Sequence, residues 1–174
     1  MNLPNKLTLA RIIAVPFFIA AFILKYYPAA LILFCAASIT DFFDGNIARK
    51  RNLVTNFGKI MDPLADKILV YSALCLFIEA GIIRAWMLII ILAREFIVSG
   101  VRTVAAADGT VIAADIYGKL KTVFQMVAVP LLVLGEWPWP FVAVIANILL
   151  WISLILTVVS GVNYCLKNKD VFSM

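Results

Sequence analysis

The sequence predicts an all-α integral membrane protein with six transmembrane helices, and three observations lead to this fold class. Hydrophobic residues make up 64% of the 174 residues and charged residues only 14%, whereas soluble domains carry about half and about a quarter. Six apolar stretches follow one another along the chain, and the mean hydropathy is +1.04. Most basic residues fall at one end of these stretches, as the positive-inside rule describes. A single domain over residues 1–174 accommodates all six helices.

The apolar stretches predict helices near residues 7–24, 29–48, 62–80, 85–104, 117–134 and 140–165. Spanning about 30 Å of hydrocarbon takes about 20 helical residues, and several stretches reach that length only by including polar residues at one end. Short segments with turn residues separate spans at residues 25–28, 81–84 and 135–140. The polar helix ends therefore need a shared explanation.

The first stretch could be a secretory signal, because Lys6 and Arg11 precede its apolar run. No small-residue cleavage site follows before Lys25, so we interpret the stretch as a retained span. Residues 1–11 are then expected to form an N-terminal segment that lies partly along the membrane interface.

The basic residues also predict how the spans are oriented. If the N-terminus is cytoplasmic, thirteen lysines and arginines lie on the cytoplasmic side and only Lys25 and Arg84 lie outside. Eight of the ten acidic residues share the cytoplasmic side. We therefore expect a polar cavity that opens to the cytoplasm of a multi-pass protein in the cell membrane.

Several classes of function are disfavoured by composition. The net charge of +5 does not indicate nucleic-acid binding, because the basic residues form no single stripe or known binding motif. The three cysteines form no CxxC pair. Histidine is absent, so a metal would need oxygen or thiolate ligands, and a general base would have to be another side chain.

Four aspartates stand in this apolar chain as two pairs. Asp41 and Asp44 are three residues apart, and Asp62 and Asp66 are four apart, so each pair shares one helix face. A charge at mid-membrane costs roughly 2.5–3.5 kcal/mol on insertion scales. Divalent metal offsets that cost, and hard oxygen ligands favour Mg²⁺ or Mn²⁺.

The residues between the pairs admit two interpretations. Gly45 and Gly58 would let a phosphate approach the backbone closely, or they ease helix packing. Arg49 and Lys59 would pair with phosphate, or they only set topology.

Eight of these residues occur in the order D-x2-D-G-x2-A-R-x8-G-x3-D-x3-D, namely at Asp41, Asp44, Gly45, Ala48, Arg49, Gly58, Asp62 and Asp66. The pattern resembles the signature of the CDP-alcohol phosphatidyltransferase family at every fixed position. The resemblance implies an enzyme that moves a phospho-group from a lipid-linked CDP donor to an alcohol and releases CMP. It also implies that the first three aspartates hold metal, while Asp66 contacts the metal and acts as the general base.

The resemblance extends to the N-terminus, where Asn5, Thr8 and Arg11 match N-x2-T-x2-R. These residues recur at helical spacing and are expected to contact CDP, although capping by Asn5 or Thr8 is an alternative. With the signature, the expected donor-binding residues are Asn5, Thr8, Arg11, Asp44, Gly45, Ala48, Arg49, Gly58 and Lys59.

A second basic group bears on the acceptor alcohol. Arg94, Arg102, Lys119 and Lys121 lie at cytoplasmic ends of predicted spans and are suited to bind a phosphate on the acceptor. Alternatively, Arg94 pairs with Glu95 and the two lysines anchor a helix end. Three strings carry a further resemblance: AREFIVSGVR at residues 93–102, VIAA at 111–114 and GKLKT at 118–122. They are similar to the family branch whose acceptor is sn-glycerol 3-phosphate, with CDP-diacylglycerol as donor.

The same scaffold accepts inositol phosphate or serine in related proteins, so these acceptors remain alternatives. A different class of function is an ion transporter, because intramembrane carboxylates often line ion paths. Against it, the carboxylates gather at one end and no inverted repeat is visible. The resemblance further implies a homodimer that contacts membrane lipid.

Overall fold

The computed structural model describes the backbone of residues 3–50, 56–107, 109–110, 112–113, 115–137 and 139–169. Within those ranges, it does not describe the side chains of residues 3, 4, 6, 41–50, 56, 57, 59 and 60. The described residues form six α-helices: α1 (Leu3–Ile23), α2 (Tyr27–Lys50), α3 (Asn56–Glu79), α4 (Ala85–Ala107), α5 (Ile116–Gly135) and α6 (Pro140–Lys167).

Each of the six predicted helices is present, and the largest difference in boundaries is at α3. This helix begins at Asn56 rather than at residue 62, so Asp62 lies inside the helix. The residues before Asp62 include Asn56, Gly58 and Lys59, and a search for apolar stretches cannot detect a helix that begins with such residues. The predicted interfacial segment is likewise the first part of α1, which runs from Leu3 without a break.

The helices pack as two groups of three. In the N-terminal half, α1 packs extensively on α2 and on α3. In the C-terminal half, α6 packs most extensively on α5 and also on α4. Contacts between the halves are fewer and join α2 to α5, α3 to α4, and α3 to α5. We call this boundary the seam.

One apolar core runs through both halves. In the N-terminal half its centre is aromatic, with the rings of Phe18 and Phe34 5.8 Å apart and those of Phe22 and Phe77 5.6 Å apart. Such pairs contribute about 0.5–1.5 kcal/mol beyond their buried area. In the C-terminal half the core is aliphatic and includes the fully buried Val129.

The exterior of the molecule is also apolar. On α6, Phe141 and Ile155 are largely exposed, and Trp151 lies 5.7 Å from Trp86 of α4, measured between ring centroids. Within the described part of the chain, α5 and α6 are long and apolar enough to cross a membrane, while the apolar stretches Leu7–Ile23 and Tyr27–Thr40 are shorter. Helices with extensive exposed apolar surface are those of an integral membrane protein.

Candidate active site

A buried polar face on α1 forms one wall of the candidate site. Asn5, Thr8 and Arg11 are only 8%, 0% and 2% exposed, as their helical spacing predicts. The Thr8 hydroxyl donates a hydrogen bond to Oδ1 of Asp62 on α3. Arg11 Nε donates to the Ala37 carbonyl oxygen of α2 at 3.2 Å. This face therefore ties α1 to both other helices of its half.

The capping alternative for Asn5 and Thr8 is wrong. The helix begins at Leu3, so both residues lie inside α1 rather than before its first turn. The Thr8 hydroxyl donates a hydrogen bond to Asp62 of another helix.

The first aspartate pair lies near the end of α2. The backbones of Asp41 and Asp44 are helical, as are those of Gly45, Ala48 and Arg49. The side chains of these five residues lie outside the described part of the molecule, as does that of Lys59. Their predicted roles in metal and donor binding stay predictions.

The second aspartate pair lies on α3, with Gly58 buried one turn before it. Asp62 and Asp66 are both half-buried and lie one helical turn apart. Among the described residues, no three acidic or cysteine side chains lie close enough together to hold a metal ion. The described part of the predicted donor set is nevertheless a pair of carboxylates, which are ligands that Mg²⁺ and Mn²⁺ favour.

A cavity of about 70 Å³ opens beside Asp66, at the seam between α3, α4 and α5. Its polar and apolar lining residues are Asp66, Lys67, Val70, Tyr71, Glu95, Lys121, Thr122, Gln125 and Met126. The cavity brings together the predicted general base and Lys121, one of the four predicted acceptor-binding cations. These two residues come from different halves of the molecule.

Glu95 is the centre of an ion-pair cluster in the cavity wall. Its Oε1 accepts a hydrogen bond from Lys121 Nζ and another from Arg94 Nη1, the latter at 3.2 Å. Its Oε2 lies 3.2 Å from Lys67 Nζ. One carboxylate thus contacts three cations from three helices, which gives these four side chains a formal charge of +2, or +1 when Asp66 of the same cavity is included.

Arg94 lies behind Glu95 and does not line the cavity. Its Nη2 donates a hydrogen bond to Ser160 Oγ on α6. A Cβ added at Gly118 would lie 2.6 Å from Arg94 Nη2, and one added at Gly161 would lie 3.2 Å from its Cγ. The two glycines leave a slot in which the arginine side chain passes between α5 and α6. The predicted alternative, in which Arg94 pairs with Glu95, is confirmed as a contact.

The other two predicted acceptor residues lie elsewhere. Arg102 is exposed, and its Nε donates to the Tyr164 hydroxyl at 3.2 Å while its guanidinium carbon lies 5.7 Å from the centre of that ring. Lys119 is exposed on α5. Neither residue lines the cavity beside Asp66, and their predicted binding of acceptor phosphate stays a prediction.

Five polar residues of the cavity were not predicted as site residues: Lys67, Tyr71, Glu95, Thr122 and Gln125. The sequence alone indicates Lys67 only as one of the basic residues that set membrane topology, and Glu95 only as a partner of Arg94. Their signal was the same as that of the aspartates, since an ionisable residue in an apolar helix is a functional candidate by default. Gln125 carries no charge and gave no such signal.

Comparisons with known proteins bear on what this arrangement does. A sequence profile of the CDP-alcohol phosphatidyltransferase family matches residues 1–159. A protein of Bacillus subtilis (strain 168) is 45% identical, with 97% of this chain and 96% of the relative covered. Relatives from Rickettsia bellii and Salmonella typhimurium are 42% and 38% identical, covering 98% and 94% of this chain and 97% and 92% of their own lengths. All three are named CDP-diacylglycerol--glycerol-3-phosphate 3-phosphatidyltransferase.

Proposed function

The chain belongs to the CDP-alcohol phosphatidyltransferase family, and on that premise we propose that it transfers the phosphatidyl group of CDP-diacylglycerol to sn-glycerol 3-phosphate. The products are phosphatidylglycerophosphate and CMP. Relatives matched over nearly their whole length support this reaction. The structural observation that carries it is the cavity at the seam, where Asp66 lies beside a cluster with excess positive charge.

In this reaction, a hydroxyl oxygen of glycerol 3-phosphate attacks the phosphorus that bears the diacylglycerol. The new oxygen–phosphorus bond forms as the bond between that phosphorus and the CMP oxygen breaks. The attacking hydroxyl loses its proton, and we assign its removal to Asp66, because this carboxylate lines the cavity. The cations around Glu95 suit an acceptor that carries its own phosphate.

We assign the binding of a divalent metal, Mg²⁺ or Mn²⁺, to Asp41, Asp44, Asp62 and Asp66. When bound there, the metal would neutralise charge on the pyrophosphate of the donor. The Thr8 hydroxyl orients Asp62 from the adjacent helix, as hydrogen-bonding partners of metal ligands commonly do. Asn5, Thr8 and Arg11, with the glycines and basic residues of the signature, would contact the CDP moiety.

We further propose a single domain whose six helices all cross the cell membrane, with the cavity facing the cytoplasm. The apolar exterior of the helices and the thirteen basic residues on one side support this arrangement. The homodimer and its contacts with membrane lipid remain predictions from the family resemblance.

The test uses the full chain purified in detergent, with CDP-diacylglycerol, Mg²⁺ or Mn²⁺, and separate acceptors. CMP release and the lipid product are measured with glycerol 3-phosphate, inositol phosphate, serine and glycerol. We expect glycerol 3-phosphate to give the highest kcat/KM, and chelation of the metal to stop turnover. If folded protein releases no CMP with any acceptor, the proposed function is wrong. Ion flux through liposomes without nucleotide would instead support the transporter alternative.

A further inference from the structure

A groove on the exterior of the N-terminal half runs along α1 and α3, away from the aspartates and toward the other end of the molecule. It consists of two adjoining cavities, of about 380 Å³ and about 180 Å³, which share Leu76 and Glu79 in their walls. The rest of the wall is mainly apolar and includes Ile19, Phe22 and Ile68. The groove is therefore suited to a hydrocarbon chain.

The length of the groove matches one leaflet of a bilayer. Along α3 it extends from Ile68 to Glu79, which is about 17 Å at about 1.5 Å per residue. Half of the hydrocarbon thickness of a membrane is about 15 Å. Because Glu79 lies about 20 Å along α3 from Asp66, the groove opens at the membrane surface opposite to the proposed cytoplasmic site. An acyl chain of that leaflet would fit along it.

Two opposite charges lie at the open end of the groove. Lys25 and Glu79 both line the smaller cavity, and both are exposed. Neither side chain forms a salt bridge with another described residue. In the proposed orientation, Lys25 is one of only two basic residues on this side of the membrane. The pair is available to a ligand that carries charges of both signs.

These two charges occupy positions that helix chemistry disfavours. At the end of α1, the Tyr26 N–H donates to the Ala21 carbonyl oxygen at 2.8 Å and the Lys25 N–H donates to that of Phe22 at 2.9 Å. Lys25 has a φ of 60°, and glycine usually occupies that position of this capping motif. Glu79 is the last residue of α3, where the helix dipole disfavours a carboxylate. A ligand that needs both charges accounts for both residues.

We propose that this groove binds a zwitterionic phospholipid of the membrane that is not a substrate. One acyl chain lies along the groove toward Tyr71, while Lys25 pairs with the phosphate and Glu79 with the ammonium of the head group. The lipid bridges α1 and α3 and stabilises the N-terminal half, as a ligand that binds only the folded state does. This inference goes beyond the proposed reaction and rests on the proposed membrane arrangement.

The test uses the full chain, purified in detergent and depleted of lipid, with phosphatidylethanolamine as the probe. Native mass spectrometry counts the bound lipid, and circular dichroism follows thermal unfolding. We expect one phosphatidylethanolamine to bind about 3- to 10-fold more tightly than phosphatidylglycerol or diacylglycerol. It should also raise the Tm by about 2–4 °C. Equal binding of the three lipids overturns the proposal.

Substitution of each charge tests the contacts with the head group. Lys25→Met and Glu79→Gln should each weaken the binding of phosphatidylethanolamine about 3- to 10-fold. Glu79→Gln should also lose the preference over phosphatidylglycerol, which has no ammonium group. Arg84→Met and Glu136→Gln are the matched controls, because both residues are exposed and lie outside the groove. Unchanged affinity in both groove variants overturns the proposal.

Filling the groove tests where the acyl chain lies. Cys75 is exposed in the wall of the larger cavity, so the ring of Cys75→Phe should occupy the groove and prevent retention of the lipid. Val144→Phe adds similar bulk to the exposed surface of α6 and should retain the lipid. Circular dichroism confirms that both variants fold. Normal retention in Cys75→Phe would exclude the groove as the lipid site.

A second copy of the chain is the competing occupant of the groove. With Cys35 and Cys165 replaced by serine, Cys75 is the remaining thiol, and oxidation in the membrane would link two chains through it if two grooves faced each other. We expect the chain to stay unlinked, and efficient formation of a disulfide-linked dimer would overturn the lipid site. Turnover of the wild type is measured in parallel. If the wild type is active but retains no lipid, this inference fails while the proposed function stands.

Discussion

The two sides of α3 face contrasting surroundings. On one side, Asp62 accepts a hydrogen bond from Thr8 of α1, within the N-terminal half. On the other side, Lys67 contacts Glu95 across the seam, and Glu95 in turn contacts cations of α4 and α5. Buried ion pairs contribute little net stability, because desolvation offsets their attraction. The hydrogen-bonded side fits the proposed role of Asp62 as a metal ligand that Thr8 orients, and the ionic side fits the binding of an anionic ligand better than a role in folding.

Asp66 lies between these two sides, and its substitution should have the largest effect on activity. Asp66→Asn keeps the shape of the side chain but removes its ability to accept the proton. We expect kcat to fall about 10²- to 10⁴-fold, the range for a general base. Binding of CDP-diacylglycerol should remain measurable. Glu136→Gln, an exposed change directly after α5, is the control, and normal turnover in Asp66→Asn would exclude the base role.

Removal of the Thr8 hydroxyl should affect the N-terminal half alone. Thr8→Val leaves the volume nearly unchanged but removes the hydrogen bond to Asp62. Changes in such partners of metal ligands typically cost 10- to 100-fold in metal affinity or activity. We expect the Mg²⁺ or Mn²⁺ concentration for half-maximal activity to rise by about that factor, with the KM for glycerol 3-phosphate unchanged. Thr8→Ser should restore the metal requirement of the wild type. A change confined to the KM for glycerol 3-phosphate would contradict the contrast between the two sides of α3.

A side chain at Gly118 should affect the C-terminal half alone. The added Cβ of Gly118→Ala would lie 2.6 Å from Arg94 Nη2 and 3.3 Å from Ser160 Oγ, so the guanidinium must shift, and we expect its hold on Glu95 to loosen. We expect a loss of about 1–3 kcal/mol in stability and a rise of several-fold in the KM for glycerol 3-phosphate, measured by thermal unfolding in detergent and by kinetics.

Gly100→Ala is the matched control for that change. Gly100 lies inside α4, and an added Cβ there would meet no atom within 4 Å. Alanine should therefore stabilise the helix by about 0.5–1 kcal/mol without changing either KM. Equal behaviour of the two variants would mean that the slot does not position Arg94.

The smallest effect is expected at Arg102. This exposed side chain contacts Tyr164, and an exposed cation over an aromatic ring contributes about 0.5–1 kcal/mol. Arg102→Ala should therefore lower stability by that amount or less. Its KM for glycerol 3-phosphate should rise less than that of Gly118→Ala, because Arg102 does not line the cavity beside Asp66. A larger rise would restore Arg102 to the acceptor site.

The comparison also shows which parts of the molecule could be predicted from sequence. The helices and the two aspartate pairs depend on local periodicity, and residues such as Asn5, Thr8 and Arg11 share a helix face by spacing alone. The start of α3 at Asn56 was missed because its first turns are not apolar. These features belong mostly to the N-terminal half.

The cluster around Glu95 could not be predicted, because its members meet only through tertiary packing. Lys67, Glu95 and Lys121 are 26 or more residues apart in sequence, and no periodicity relates them. Burial of Gln125 depends in the same way on how α5 packs on its neighbours. The need for glycine at positions 118 and 161 likewise depends on tertiary packing, because the side chain that fills the space beside them, Arg94, lies on a third helix.

Trp86 and Trp151, which pack against each other, both lie in the C-terminal half, and only this half contains tryptophan. All four tryptophans of the chain, at positions 86, 137, 139 and 151, follow the turn that ends the N-terminal half. Indole fluorescence therefore reports on α4, α6 and the connection before α6, and it is silent for α1–α3. Unfolding that is followed by both fluorescence and circular dichroism will separate loss of the C-terminal half from loss of helix in the whole chain, with no label introduced.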